Sequence, residues 1–496
     1  MTGIRSSFPR LLLSAVLLAC WFPCLAVAAE PAEKKEPSEI SYYKDVRRIF
    51  QQHCQGCHQP AKPQGGYVMT GYADLLKKGE HEQLGVVPGH PEKSMVVDQI
   101  LPKDGKKPAM PRGKDPLSAA DVELIKKWIA AGAKNDTPKT QEHVVDAAHP
   151  PVYNLSPDLS CVTFSPDGKL LAVSGYHEVL LHNGDGSGLV GRLVGESERI
   201  ESIAFSPDGK LLAVAGGSPG RFGEIQVWDV AKRKLKLSVS VTFDTVYGIS
   251  WSHDGSKLAF GCADNTVRAI ESNTGKQILY QGAHDDWVLG TVFSKDSTYL
   301  VSVSRDRSMK LTEVATQRFI DNVTSITPGA LKGGLLGVAR NPKKSDVKVK
   351  NTAAGTDQTE KWYDELLIGG DDGTPRMYKM HRTTKRVIGD DANKVREYEK
   401  MPGLVYALAF SADGGTFAAG SSLDGKGELR VYQTADGKVV SKLTGIGPIY
   451  SVSFRPDGQV IASAGFDGVV RLSDAKTGKV VKEFIPVPLT KTAQAR

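Results

Sequence analysis

The chain is poor in cysteine and tryptophan, with 6 of each among 496 residues. Six cysteines cannot staple a fold of this length, which excludes a disulfide-held scaffold. Past the first thirty residues no apolar run approaches the roughly 18 residues that cross a bilayer. Charge of one sign is also scarce: 63 Lys and Arg stand against 56 Asp and Glu, and a net charge of +7 is too dilute for a nucleic-acid footprint. There is no G-x-S-x-G, no P-loop and no H-E-x-x-H, so the familiar hydrolase, nucleotide and zinc-protease signatures are missing. What is present is enough to bury sizeable cores. With 40% hydrophobic and 24% charged residues, wholesale disorder is excluded. The length suggests about three units of roughly 150 residues, or two unequal ones.

The start of the chain reads as an export signal. Arg5 and Arg10 precede the apolar run Leu11 to Cys20, and Ala26-Val27-Ala28 supplies the small-x-small pattern of a cleavage site. A leader over 1–28 predicts an exported, periplasmic or equivalent extracytoplasmic protein, with no membrane span in the mature chain. Trp21, Phe22 and Pro23 split the apolar runs, which argues against an anchor. Leu17-Leu18-Ala19-Cys20 is close to a lipoprotein box, but lipidation there would leave apolar Trp21 to Ala29 on the mature protein. Cleavage leaves Cys54, Cys57, Cys161 and Cys262.

Cys54-Gln55-Gly56-Cys57-His58 is a C-x-x-C-H motif. Its two thiols lie one helical turn apart and can each add to a porphyrin vinyl group, while the adjacent imidazole reaches the iron. The motif predicts one covalent haem c. A thioredoxin-like pair would need a βαβ context and a zinc site a second ligand pair. Neither is present. Tyr42 to His53, with Tyr43, Val46, Ile49 and Phe50 at helical spacing, predicts an amphipathic helix before the motif. The candidates for a second axial ligand are Met69, Met95, Met110, His81 and His90. Met69 lies on a loop, and Met95 sits in the apolar helical stretch Ser94 to Leu101, which suits a core residue. Met110 stands in Pro108-Ala109-Met110-Pro111-Arg112-Gly113, where prolines hold the backbone extended and can present a thioether sideways. Ser118 to Asp121 resembles a capping box, and Val122, Ile125, Trp128 and Ile129 give one face of a closing helix to about Ala131. These elements make a small all-α domain over 40–134. A thioether ligand would raise the reduction potential, and two filled axial positions leave no open site for a substrate.

Tyr42 to Ala133 resembles the cytochrome c domains of the planctomycete type. The likeness is carried by Cys54-x-x-Cys57-His58, Gly89-His90-Pro91-Glu92-Lys93-Ser94, Met110-Pro111 and Leu117-Ser118. It implies haem at Cys54 and Cys57 with His58 and Met110 as the axial ligands. Arg112 stands where such domains often have a second proline. Around this loop Lys103, Lys106, Lys107, Arg112 and Lys114 outnumber Asp104 and Asp115, a charge ring suited to steering an acidic redox partner.

Residues 135–150 are polar and proline-bearing, as in an interdomain linker. The remainder repeats. Phe164-Ser-Pro-Asp-Gly168, Phe205-Ser-Pro-Asp-Gly209, Trp251-Ser-His-Asp-Gly255, Phe293-Ser-Lys-Asp-Ser297, Phe410-Ser-Ala-Asp-Gly414 and Phe454-Arg-Pro-Asp-Gly458 are spaced by 41, 46, 42, 117 and 44 residues. Periods of about 40–45 residues with short strands mark an all-β propeller. The long gap holds two periods plus an insertion near 341–361, so one blade is hidden between Leu335 and Met380, and seven blades are expected. With Val227-Trp228-Asp229 and Gly282-Ala-His284, residues 151–488 resemble the WD-repeat propellers. Cys161 and Cys262 fall in apolar strands of non-adjacent blades and read as buried free thiols. His177, His182, His253, His284 and His381 lack metal-ligand spacing.

These features predict a multidomain chain, a small all-α cytochrome c domain and then a seven-bladed propeller. Its expected role is electron carriage, with a protein partner docked on the propeller loops or on the basic insertion 341–361. An electron-transfer protein is favoured over an enzyme. The alternative is a redox enzyme in which the propeller holds a second cofactor or substrate and the c haem relays electrons. A central pocket lined by convergent His, Arg or acidic side chains would favour that alternative, and a channel lined by small residues the first.

Overall fold

The computed structural model describes residues 40–54, 58–59, 62–69, 71–112, 116–138, 145, 147–282, 284–325, 331–343, 348–350, 360–362, 364–385, 387 and 389–490. The expected leader, Cys57 and most of the 341–361 insertion lie outside them.

Ser41 opens the first helical segment by accepting a hydrogen bond from the Lys44 N–H at 2.9 Å. A π-helical turn over Tyr42–Val46 runs directly into α1, Arg47–His53. Three further helices follow: α2 Tyr72–Leu75, α3 Met95–Ile100 and α4 Ala119–Ala130. Ser118 caps α4 by accepting from the Asp121 N–H at 3.1 Å, as its sequence position requires. Trp128 on α4 is 1% exposed and forms the centre of this core. Its ring stacks on Tyr42 at 5.3 Å and meets Phe50 edge-on at 6.3 Å, joining the first helical segment to the last. One feature departs from an all-helical unit: His58–Gln59 pairs with Lys62–Pro63 as a two-residue antiparallel ladder. The chain must reverse there, and short strands satisfy backbone groups that no helix can.

From Val162 onward the described residues form β-sheet. There are five four-stranded antiparallel sheets and one of seven strands. The large sheet arises because the 17-residue strand Leu189–Phe205 serves twice. Its first part pairs with Tyr176–Asn183 and its second part with Leu211–Ser218. The degenerate stretch is a sheet of this kind, with Leu335–Arg340, Glu365–Gly370, Arg376–Lys379 and Lys394–Glu397 as its strands. Within the insertion Lys348–Lys350 pairs with Glu360–Trp362.

The repeated Ser-x-Asp-Gly segment is a self-sufficient turn. The Ser165 hydroxyl donates to Asp167 Oδ1 at 2.6 Å and accepts from the Leu170 N–H at 3.0 Å, while Asp167 Oδ1 also accepts from the Lys169 N–H at 3.1 Å. Gly168 closes the turn at φ +70°, which glycine adopts without strain. The same bonds recur around Ser206, Ser252, Ser294 and Ser411. Where Arg455 replaces the serine, its Nε donates to Asp457 Oδ2 at 2.9 Å.

First strands of successive sheets lie side by side. Ile249 N–H donates to Ser202 Oγ at 3.1 Å and Thr291 Oγ1 to the Gly248 carbonyl at 2.6 Å. The last sheet returns to the first: Val162 and Phe164 N–H donate to Ser451 and Ser453 Oγ at 3.0 and 3.1 Å.

His284 and Asp306 form a buried polar knot. His284 Nδ1 lies 2.8 Å from Asp306 Oδ2 and Nε2 lies 2.7 Å from Ser302 Oγ, and Ser308 Oγ donates to Asp306 Oδ1 at 2.6 Å. Burial alone would raise the Asp306 carboxyl, but the bonds from His284 and Ser308 hold it well below the ordinary carboxylate range. A depressed folded-state value stabilises the fold above the unfolded value near ~3.9, and the contribution is lost as pH falls through the folded one. Asp306→Asn should therefore be less stable than wild type in urea melts at neutral pH, by about 1–3 kcal/mol. The gap should narrow below pH ~4. A gap independent of pH would contradict this account of the pair.

Candidate functional site

Cys54 closes α1, its N–H donating to the Phe50 carbonyl at 2.9 Å. The His58 N–H donates back to the Cys54 carbonyl at 3.0 Å, so the thiol and the imidazole stand one turn apart. His58 Nδ1 lies 3.2 Å from the Tyr67 carbonyl oxygen. With the proton on Nδ1 that contact is a hydrogen bond, and Nε2 is left to offer its lone pair to a metal. This donor set fits a haem iron on the His58 side.

The candidates for the other axial position are dispersed. Met69 is 3% exposed and its N–H donates to the His58 carbonyl at 2.8 Å, so it belongs to the core beside the motif. Met95 is half-buried, with its sulfur accepting from Gln99 Nε2 at 3.5 Å. His81 and His90 are exposed, and His90 Nδ1 lies 2.9 Å from Glu92 Oε1. Met110, in the segment that joins α3 to α4, is half-buried and tied by its N–H to the Gln99 carbonyl at 3.0 Å. Two main-chain bonds and the His58 side chain thus gather Cys54, His58, Tyr67 and Met69, whereas Met110 is held separately by α3. Nearby, Lys106, Lys107 and Arg112 are exposed, but Lys103 pairs with Asp98 at 2.6 Å, which offsets one charge of the basic ring.

Tyr67 and Gly85 went unread in the sequence. The Tyr67 ring meets the His58 ring edge-on at 6.0 Å, and its hydroxyl donates to the Leu75 carbonyl at 2.8 Å. Burial pushes this phenol above its ordinary range. The ring occupies space that only glycine leaves: a Cβ on Gly85 would stand 1.8 Å from the Tyr67 Oη. The one available signal was a glycine set between the apolar residues Leu84 and Val86.

In the sheet region the His284–Asp306–Ser302 arrangement has a nucleophile-like order, but His284 is 5% exposed and serves the interior, so it is structural. Cys161 and Cys262 are buried free thiols, each pushed up to about 12 by burial. That makes them poor nucleophiles. The first strands enclose a cavity of about 740 Å³ whose lining includes Asp158, Arg199 and Glu201 beside Gly248, Gly290 and Gly337. Burial raises the Glu201 carboxyl; Arg199 opposes that shift and Asp158 adds to it.

Residues 54–112 match the family model of the planctomycete cytochrome C. Residues 149–182, 187–229, 275–312 and 437–474 match the WD domain, G-beta repeat, and 219–290 match the anaphase-promoting complex subunit 4 WD40 domain. Among curated proteins, the serine-threonine kinase receptor-associated protein of Gallus gallus is 22% identical over 262 residues, covering 47% of this chain and 68% of that protein. The eukaryotic translation initiation factor 3 subunit I of Aspergillus oryzae is 25% identical over 263 residues, covering 51% of this chain and 59% of that protein. The chain therefore spans about three fifths of the latter.

Gly85→Ala should drive the new methyl into Tyr67 and lower stability by about 1–3 kcal/mol. Tyr67→Phe, which loses only the bond to Leu75, should cost about 0.5–1.5 kcal/mol. Denaturant melts that rank the two variants in the opposite order would refute the steric role of Gly85.

Proposed function

We propose that this chain, a planctomycete-type cytochrome c domain joined to WD40 repeats, is an exported monohaem electron carrier whose seven-bladed propeller docks a protein partner. The observation that carries the reading is the pairing of His58 Nδ1 with the Tyr67 carbonyl one turn from Cys54, inside the cytochrome-matched segment. Haem c would be held by Cys54 and Cys57 through thioethers, with His58 and Met110 as the residues that would ligate its iron. Bound there, the group supplies a one-electron iron couple. Tyr67 holds the imidazole in one tautomer and orientation, and Gly85 makes room for Tyr67. The exposed Lys106, Lys107 and Arg112 favour an acidic redox partner, at a rate that falls with salt. Export rests on the leader pattern over 1–28; among the described residues no helix is long and apolar enough to cross a membrane.

Seven blades follow if the strand Leu189–Phe205 is counted once in each of its two pairings. The docking role rests on the WD40 match, since a propeller is a scaffold and does not itself specify a function. A second reading, a redox enzyme with a site in the propeller, draws support from the cavity bearing Asp158, Arg199 and Glu201, which small residues alone do not line.

Visible spectra of the mature protein, oxidised and reduced, test the assignment. One c-type haem is expected, with a weak far-red thioether band. Met110→Ala should lose that band, lower the reduction potential and bind added imidazole. A wild-type iron that takes up external ligands readily, or a second chromophore, would overturn the carrier reading in favour of the enzyme.

A further inference from the structure

The cavity ringed by the first strands differs chemically from the rest of the sheet interior. Several of those strands carry a register shift, and the extra residue at each shift lines the cavity: Glu201 between Ile200 and Ser202, Tyr406 between Val405 and Ala407, Tyr450 between Ile449 and Ser451. A β-bulge re-aims a side chain in this way. Tyr247 joins them from the strand Val246–Trp251. Tyr406 and Tyr450 meet edge-to-face with centroids 5.6 Å apart, and Tyr247 is backed by Trp287 in a stack at 5.9 Å. Besides Tyr176, three phenol rings, two of them fixed by each other and one by an indole, thus share about 740 Å³ with Glu201. That volume suits a small ligand.

The charge balance of the cavity is negative. Among the described residues the Glu201 carboxylate forms no ion pair and no hydrogen bond. Asp158 lines the same space, as does Glu198, which is engaged by Arg221 at 3.4 Å. Among the described residues that line it Arg199 is the one cation, and it stands against the three carboxylates Asp158, Glu198 and Glu201. The negative face of an aromatic ring attracts cations, best when water is excluded, and a half-buried carboxylate adds a charge-assisted bond.

We propose that this cavity binds a protonated alkylamine, with the ammonium held between Glu201 and the faces of Tyr247, Tyr406 and Tyr450 and its stem lying along Leu289 and Leu336. The site stands on the sheets alone and is independent of the haem assignment, so its failure would leave that reading untouched. The amine could be free or presented as a lysine side chain by a partner, and the recognition chemistry is the same.

Calorimetric titration of the full mature, haem-loaded protein with n-butylammonium chloride tests it, with n-butyrate and n-butanol as matched anionic and neutral probes. Saturable binding of n-butylammonium alone is expected. Glu201→Gln and Tyr450→Leu should each weaken it about tenfold, with the haem spectrum serving as the control for folding. Should one variant fail to fold, the other decides. The peptide acetyl-Gly-Lys-Gly-amide competing for the site would mark the amine as partner-borne, and no competition would mark it as a small molecule; both support the site. No saturable heat with n-butylammonium, unchanged affinity in the folded variants, or tighter binding of n-butyrate would overturn the proposal.

Discussion

Closure of the sheet array onto itself is the constraint on which the rest depends. An array beginning at Val162 and ending at Phe484 would otherwise leave an apolar sheet face unpacked at each end. The structure prevents this with the serines of the last sheet, which receive N–H groups of the first strand, and with a main-chain bond from Leu159 to the Gly465 carbonyl at 2.9 Å. Tyr153 then bridges to Leu489 in parallel, and the Thr490 N–H donates to the Tyr153 carbonyl at 2.9 Å. Segments at the two ends of the array are thereby pinned together, and the cavity acquires a continuous wall.

Much of this was legible in the residues because it is local. The Ser-x-Asp-Gly turn carries its own hydrogen bonds, so it recurs wherever the tetrad recurs, and Ser297 shows that the backbone geometry persists at φ +60° even without the glycine. The closing helix was legible for the same reason: Ser118 acts within three residues of its own position. Other features depend on partners distant in sequence. Alternation of apolar and polar residues says which face of a strand is buried, but not that Leu189–Phe205 continues unbroken from one sheet to the next. Tyr67 and Gly85 lie in irregular segments with no period to betray them, and their meaning comes only from contact across 18 residues. The cavity was anticipated as a place to look. Its tyrosines were not, because they sit at bulges that no repeat pattern announces.

The two regions manage buried polarity in opposite ways. Around His58 the polar atoms are paired to main-chain carbonyls, which fixes orientation and leaves one nitrogen available. The sheets bury whole side-chain networks instead. Glu224, for example, accepts from Ser197 at 2.7 Å and from Gln226 at 2.8 Å, while Trp228 donates to Gln226 at 2.9 Å. Satisfied networks of this kind rigidify a core. Among the described residues the Glu201 carboxylate belongs to no such network.

The strand shared by the two halves of the seven-stranded sheet also bears on how its units are joined. Elsewhere a sheet ends in a connection that can be cut and rejoined, so whole units can be duplicated or lost with their hydrogen bonds intact. In Leu189–Phe205 the two pairings instead meet at Arg199, which faces Tyr176 on one side and Gly217 on the other, with no loop between them. A cut that separated the first two units would have to fall within a strand rather than in a loop.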